Sequence, residues 1–144
     1  MTVTYRPATA ADWPAIARLL NACNLPAAGV QAHLDAFIVA AAGETVVGCV
    51  GAEVYGGDAL LRSLAVAEAF RGRGIGDALE ARMIETLKRR GVGRVALLTT
   101  TAERFFARRG FVAVARDDVP VALQASEEFK GACPASATAM IMRL

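Results

Sequence analysis

The sequence has few of the residues that build metal centres and disulfide scaffolds. It contains one histidine, His33, and three cysteines, Cys23, Cys49 and Cys133, which are widely spaced and form no Cys-x-x-Cys pair. A zinc site needs several such ligands close together, and an odd number of isolated cysteines argues against a disulfide framework. We therefore expect no metal site and a reduced, cytoplasmic protein.

Long apolar runs and a large excess of one charge are also missing. No apolar stretch approaches the roughly 20 residues that cross a membrane, and the first ten residues lack the apolar core of a signal peptide. The formal net charge of +2 is too small to indicate nucleic-acid binding. With 144 residues, 55% of them hydrophobic, we expect one globular domain over residues 1–144 and neither a membrane nor a nucleic-acid partner.

What the sequence does contain is a glycine-rich turn, which follows the apolar run 60–66 and opens the helical pattern 75–90. Glycines lack the Cβ atom that would block an anion, and the first N–H groups of a helix point outward without partners. Arginine side chains suit phosphate oxygens. The turn therefore predicts a pyrophosphate-binding loop, which we call the cradle. Its residues are Arg71, Gly72, Arg73, Gly74, Ile75 and Gly76.

Two common phosphate loops do not fit the cradle. A Walker loop needs a lysine after its last glycine, and here Gly76 is followed by Asp77. A dinucleotide fingerprint needs Gly-x-Gly-x-x-Gly, but Asp77 and Leu79 stand where the third glycine would fall. A plain glycine turn with two solvated arginines remains the alternative to an anion site.

Alternating strand and helix patterns predict a mixed α/β fold, in which antiparallel strands precede the cradle. A helix is expected to begin after Thr9-x-x-Asp12, which resembles a capping box, and to end near Ala22. The other predicted helices are 30–34, 75–90 and one that ends at Gly110, and the predicted strands are 3–6, 37–41, 45–55, 59–66, 95–100, 111–116 and 137–144.

The pattern Arg-x-x-Gly-x-Gly after a buried strand resembles the GCN5-related N-acetyltransferase (GNAT) family. Residues 5–12 are similar to the family's first strand and helix start, and residues 102–111 to its fourth helix and the following turn, so the resemblance covers nearly the whole chain. It implies a GNAT-like mixed sheet of about six to seven strands, with an antiparallel N-terminal part and helices on both faces. It also implies acetyl-CoA as co-substrate and, as an assembly common in the family, a homodimer through the C-terminal strands.

The resemblance also implies which residues hold acetyl-CoA. The strand before the cradle supplies backbone contacts, here at Leu64, Ala65 and Val66, and the cradle supplies the pyrophosphate site. Phe106 also belongs to the cofactor site, at the position where many members carry a tyrosine that protonates the leaving thiolate. A phenyl ring cannot donate a proton, but a thiol pKa near 8.5 allows coenzyme A to leave as a thiolate.

Candidate catalytic and substrate-binding residues lie on the neighbouring strands. Arg62 and Ser63 would lie beside the acetyl group, and Thr99 would face the substrate. Arg62 either binds an anionic group of the substrate or forms a structural salt bridge with Glu53, because an unpaired buried guanidinium is costly. Glu53 is the best general-base candidate, with a solvated or arginine-paired carboxylate as the alternative. Tyr55, Ser63 or one of the threonines at 99–101 could assist through water. His33 is either a second base or simply exposed.

A narrower resemblance links residues 60–66, 97–102 and 125–136 to the small arsenic-resistance N-acetyltransferases. It implies acetylation of the amine of an arsenical or amino-acid-like toxin, whose carboxylate or arsinate would match Arg62. Cys133 would then either touch a trivalent arsenical or act as a small buried hydrophobe. Two other functions remain open: a protein or peptide N-acetyltransferase, and an acyl-CoA-binding module without catalysis, which Phe106 suggests.

Overall fold

The computed structural model describes residues 2–144, and within them seven strands form one sheet in the order β1-β2-β3-β4-β5-β7-β6. The strands are β1 Val3–Pro7, β2 Phe37–Ala42, β3 Thr45–Tyr55, β4 Asp58–Val66, β5 Arg94–Thr99, β6 Val112–Val114 and β7 Thr138–Arg143. The α-helices are α1 Trp13–Ala22, α2 Ile75–Arg89 and α3 Glu103–Arg108.

The sheet is antiparallel from β1 to β4 and again between β5, β7 and β6. The pairing of β4 with β5 is parallel. A parallel connection needs a crossover, and α2 supplies it. The predicted mixed sheet with an antiparallel N-terminal part is thus confirmed.

The two faces of the sheet carry different helices. On one face Leu79, Met83 and Leu87 of α2, spaced four residues apart, pack into the main core, which also takes in Phe106 of α3. On the other face Ile16, Leu19 and Leu20 of α1 pack against Phe37, Val39 and Cys49. Helices on both faces were predicted, and this prediction is confirmed.

A polar arrangement fixes the start of the first helical segment. The carboxylate of Asp12 accepts the backbone N–H of Thr9 at 2.8 Å and both terminal nitrogens of Arg6 at 2.7 and 2.9 Å. The hydrogen bonds of Arg6 outweigh the effect of burial and hold the pKa of Asp12 at about 2. The acidic residue predicted for this cap therefore also ties the segment to β1.

Two predicted elements differ in the structure. The helix expected over 30–34 is instead a 3-10 segment, Gln31–Ala36, interrupted at His33, where φ is −120°. The strand expected over 111–116 is limited to Val112–Val114, because the chain turns at Arg116, whose guanidinium binds the carbonyl of Pro134 at 2.7 Å. We call residues 116–137 the cover segment, since its short helical turns bury Val119 and Leu123 against the sheet.

Candidate active site

A β-bulge interrupts β4 before it reaches the cradle. In the pairing with β3, Gly51 faces Arg62 but Cys49 faces Ala65, so Ser63 and Leu64 both oppose a single residue, Val50. Ser63 has a φ of +60°, a left-handed conformation that is uncommon outside glycine. Such a bulge bends the strand and changes the direction of its side chains, which is frequent next to active sites.

Strands β4 and β5 part at the bulge. Their pairing includes only Asp58 with Arg94, Ala59 with Val95 and Leu60 with Ala96. β5 then continues beside β7, and in the part of the chain that the structure describes no strand pairs with residues 61–66 on the β5 side. Apart from the Val66 carbonyl, which accepts from Arg71, the backbone groups of this edge of β4 are therefore not used by a strand and can bind another extended molecule.

The cradle lies between this open edge and α2. Gly72 and Gly74 have φ values of +77° and +78°, and Gly74 is the N-cap of α2 without a side chain that caps the helix. The first N–H groups of α2 therefore have no acceptor within the helix. Arg71 donates to the carbonyl of Val66 at 3.1 Å, which holds the cradle against the end of β4. The guanidinium of Arg73 lies 5.0 Å from the centre of the Phe70 ring.

A buried ion pair joins β4 to β3. Arg62 Nη1 lies 2.7 Å from Glu53 Oε2, and the two side chains are 0% and 2% exposed. Arg62 also donates to the Ser63 hydroxyl at 3.1 Å and to the Pro26 carbonyl at 3.1 Å, and its Nε lies 3.5 Å from Glu128. Of the two interpretations of Arg62, the structure contains the salt bridge. An anionic substrate would have to replace one of these partners.

Glu53 is surrounded by donors. Its carboxylate accepts the Tyr55 hydroxyl at 2.5 Å and the Ser126 hydroxyl at 2.9 Å, and His33 Nε2 lies 3.5 Å away. Burial alone would raise the pKa of Glu53, but the hydrogen bonds and the charge of Arg62 outweigh it, so the pKa is lowered. Both oxygens are engaged, whereas a general base needs a free lone pair. The assignment of Glu53 as base stays a prediction.

The cover segment adds a second carboxylate to this group. Glu128 is 4% exposed, and burial, together with the charge of Glu53, raises its pKa to about 7 even though Arg62 lowers it. Cys133 lies beside it, with its pKa raised to about 11 by burial and by Glu128. We call Glu53, Tyr55, Arg62, Ser126 and Glu128 the buried polar cluster. Sequence reasoning assigned no role to Ser126 or Glu128, because their segment lacks any periodic pattern.

The remaining predicted site residues lie elsewhere. Phe106 packs in the core with its ring centre 5.1 Å from that of Phe105 and 5.6 Å from that of Phe111. The Thr99 hydroxyl accepts the N–H of Ala102 at 3.0 Å, at the start of α3. The structure thus brings Glu53, Arg62 and Ser63 together, while Thr99 and Phe106 are engaged within the protein.

Residues 2–144 contain neither a cluster of metal ligands nor a membrane-spanning helix. No group of three or more histidine, cysteine, aspartate or glutamate side chains in residues 2–144 is placed to hold a metal ion. None of the helices in the same range combines the length and the apolar character needed to cross a membrane.

Comparison with known proteins gives a family match. Residues 33–113 match the acetyltransferase (GNAT) domain. An amino-acid acetyltransferase of Aeromonas salmonicida (strain A449) is 28% identical over 97 residues, which are 66% of this chain and 22% of the relative. The chain therefore spans about a fifth of that curated relative.

Solved structures share the fold. N-acetylglutamate synthase from Neisseria gonorrhoeae, complexed with coenzyme A and N-acetyl-glutamate, matches with a TM-score of 0.85 and 23% identity, over 100% of this chain and 35% of that one. Rv2747 from Mycobacterium tuberculosis, solved in complex with CoA, matches with a TM-score of 0.80 and 24% identity, over 98% of this chain and 99% of that one.

Proposed function

Because the chain belongs to the GNAT acetyltransferase family, we propose that it moves the acetyl group of acetyl-CoA to the amine of a small molecule. The observation that carries this proposal is the open edge of β4, which leads directly to an uncapped helix start at the cradle. The amide-bearing arm of coenzyme A can bond to a free strand edge, and its pyrophosphate can bind helix N–H groups.

The cofactor residues take distinct parts in this proposal. Leu64, Ala65 and Val66 bind the arm of acetyl-CoA through their backbone, and the cradle binds the pyrophosphate. The two solved structures named above that contain coenzyme A support acetyl-CoA as the co-substrate. Phe106, which packs in the core against Phe105 and Phe111, contributes an apolar ring rather than a proton donor.

The proposed reaction is a direct transfer. The amine nitrogen attacks the thioester carbonyl carbon, the new C–N bond forms, and the C–S bond breaks with its electron pair on sulfur. The developing oxyanion is stabilised by a backbone N–H of β4 near Ser63. The amine proton passes to a base or to water, and the thiolate takes a proton from solvent.

Glu53 and His33 are the two candidates for the general base. Glu53 carries the negative charge, but its side chain is only 2% exposed, whereas the His33 side chain next to it is 29% exposed. Glu53→Gln and His33→Gln therefore form a matched pair. If the replaced residue is the base, its variant has a lower kcat at neutral pH, and the acidic limb of its pH–rate profile disappears.

The acceptor in this proposal is an amino acid or a compound resembling one, with arsenical and phosphinic amino acids as the narrower candidates. The Aeromonas relative is an amino-acid acetyltransferase, and the Neisseria structure holds N-acetyl-glutamate, which supports an amino-acid-like acceptor. Arg62 offers a planar guanidinium suited to a carboxylate or arsinate. Thr99 is proposed as a second substrate contact, for which its hydroxyl would have to exchange the N–H of Ala102 for the substrate.

Thiol release from acetyl-CoA, measured across a panel of amines, tests the proposal. The panel contains amino acids, their decarboxylated amines, arsenical and phosphinic amino acids, and peptides. We expect release with carboxylate-bearing small amines. Release with peptides alone would favour a protein acetyltransferase. Binding of acetyl-CoA without release for any amine would favour a non-catalytic acyl-CoA-binding module.

We also propose the domain bounds, the cellular location and the oligomeric state of the protein. We expect residues 1–144 to fold as one domain, located in the cytoplasm, and two copies to associate through the C-terminal strands. Sedimentation of the purified chain distinguishes a dimer of about 30 kDa from the 15.1 kDa monomer.

A further inference from the structure

A cavity of about 360 Å³ lies between the C-terminal half of α2 and the edge of the sheet formed by β1 and β2. The cradle lies at the other end of α2: Gly74 precedes Met83 and Leu87 of the cavity lining by 9 and 13 residues, ~14 to 20 Å along the helix axis, because a helix rises about 1.5 Å per residue. The cavity is therefore separate from the candidate active site. Its volume lies in the range of small-molecule sites.

The floor of the cavity is apolar. Met83 and Leu87 of α2 are buried there, and Ile38 and the ring of Tyr5 complete the surface from β2 and β1. Apolar lining of this kind favours a ligand with a hydrocarbon or aromatic body.

The arginines on the rim differ in whether a carboxylate of the protein already pairs with them. Arg6 is engaged by Asp12, and Arg89 lies 3.9 Å from Glu85. Arg82 instead stacks on Tyr5, with its guanidinium carbon 4.5 Å from the ring centre. Among residues 2–144, no carboxylate lies within salt-bridge distance of Arg82.

Arg90 is the second arginine available to a ligand. The only hydrogen bond of its side chain within the described residues is a long one, 3.4 Å, to the carbonyl of Asp35. A guanidinium held flat on an aromatic ring keeps its in-plane N–H groups free for a carboxylate. Arg82 on α2 and Arg90, the C-cap residue that follows the helix, both line the cavity and thus place two guanidinium groups beside its apolar floor.

From this arrangement we infer a second binding site, for a small organic anion with an apolar body, such as an aryl-alkyl carboxylate. The apolar body would rest on Met83, Leu87 and Tyr5, and the carboxylate would bind Arg82 and Arg90. Four arginines, Arg6, Arg82, Arg89 and Arg90, outnumber the carboxylates of Asp35 and Glu85 around the cavity, and this positive excess favours an anion over a neutral or cationic compound of the same shape.

Calorimetric titration of the full chain with 4-phenylbutyrate tests this inference. We expect one saturable site with a Kd below about 1 mM, and at least fivefold weaker binding of 4-phenylbutanol and 4-phenylbutylamine. Arg82→Gln and Arg90→Gln should each weaken 4-phenylbutyrate at least about fivefold. The matched control is Arg143→Gln, which replaces an exposed arginine on β7. This variant should bind 4-phenylbutyrate with the affinity of the unmodified chain.

A second titration, with coenzyme A present, separates this site from the active site. Because the two are distinct, saturating coenzyme A should leave 4-phenylbutyrate affinity unchanged. The inference is overturned if no saturable binding occurs, if the alcohol binds equally well, if neither arginine variant weakens binding, or if coenzyme A competes. Loss of coenzyme A binding in Gly74→Val, with 4-phenylbutyrate binding retained, would support the second site independently of the proposed activity.

Discussion

Arg62 and Glu53 form a buried ion pair at 2.7 Å across neighbouring strands, directly before the bulge at Ser63. The pair also anchors two connecting segments, since Arg62 binds the carbonyl of Pro26 and Glu53 binds the hydroxyl of Ser126. One ionic contact therefore fixes the loop before β2 and the cover segment beside the open edge of β4.

Replacement of Arg62 tests whether this contact also recognises substrate. Arg62→Ala leaves Glu53 buried without its cation and should lower the free energy of unfolding by about 3 to 5 kcal/mol. Arg62→Lys keeps the charge but loses the planar geometry. If Arg62 also binds an acceptor carboxylate, Arg62→Lys lowers the preference for an amino acid over its decarboxylated amine and leaves acetyl-CoA affinity unchanged. If Arg62→Lys lowers the melting temperature but leaves the preference for the amino acid unchanged, Arg62 has a structural role only.

The cradle assignment is tested at Gly74. A valine there adopts a strained left-handed conformation and places methyl groups beside the free N–H groups of α2, so acetyl-CoA should bind at least about tenfold more weakly, roughly 1.4 kcal/mol. Gly91→Val is the matched control, because Gly91 has a φ of +81° and open space around it but lies after the other end of α2. Equal loss of affinity in both variants, measured by calorimetry, would argue against the cradle.

Phe106 should affect packing more than chemistry. Phe106→Leu removes ring contacts with Phe105 and Phe111 and should cost about 1 kcal/mol or more of stability. Phe106→Tyr should change turnover only modestly, because the thiolate leaves without a side-chain acid. Single-turnover rates of both variants, measured across pH, show whether Phe106 affects the chemical step. A large loss of rate in Phe106→Leu, with stability and coenzyme affinity intact, would contradict this prediction.

Ser63 combines a left-handed backbone with a hydroxyl, and the two can be separated. Both Ser63→Gly and Ser63→Ala remove the acceptor of a hydrogen bond from Arg62, but glycine suits the φ of +60° whereas alanine retains the strain, so the glycine variant should be the more stable of the two. Both variants lose the hydroxyl. If the hydroxyl assists proton transfer, both lower kcat to a similar extent. If both retain full kcat, Ser63 contributes through the bulge alone.

The stability of the protein should fall as pH rises through the range between about 4.5 and 7. Glu128 has its folded pKa raised from 4.5 to about 7, so the folded state holds a proton that the unfolded state releases over this interval. The full effect is at most about 3 kcal/mol. Below this range the opposite sign applies, since Asp12 has a pKa of about 2 and its contribution is lost as the carboxylate is protonated.

Denaturant unfolding at several pH values measures this dependence. Glu128→Gln replaces the protonated acid with a neutral amide, so its stability should change much less between pH 5 and 7. Glu127→Gln, at an exposed neighbouring position, is the control and should retain the slope of the unmodified chain. A slope unchanged in Glu128→Gln would show that another group titrates.

Local patterns in the sequence determined most of the architecture. Four-residue spacing of apolar side chains marked α2, and a glycine turn after an apolar strand marked the cradle, because both depend on residues close in the chain. The parting of β4 from β5 depends instead on which strand inserts next to β5, and β7 comes from the distant C-terminus.

The tertiary structure alone decided how the polar residues are paired. The sequence offered Arg62 either a substrate anion or Glu53, and folding supplied Glu53 together with Ser126 and Glu128 from a segment without helical or strand periodicity. Local propensity contains no information about a contact between residues 53 and 126. A buried guanidinium must be matched by acceptors from whichever segments the fold brings near it, and that requirement is met only in three dimensions.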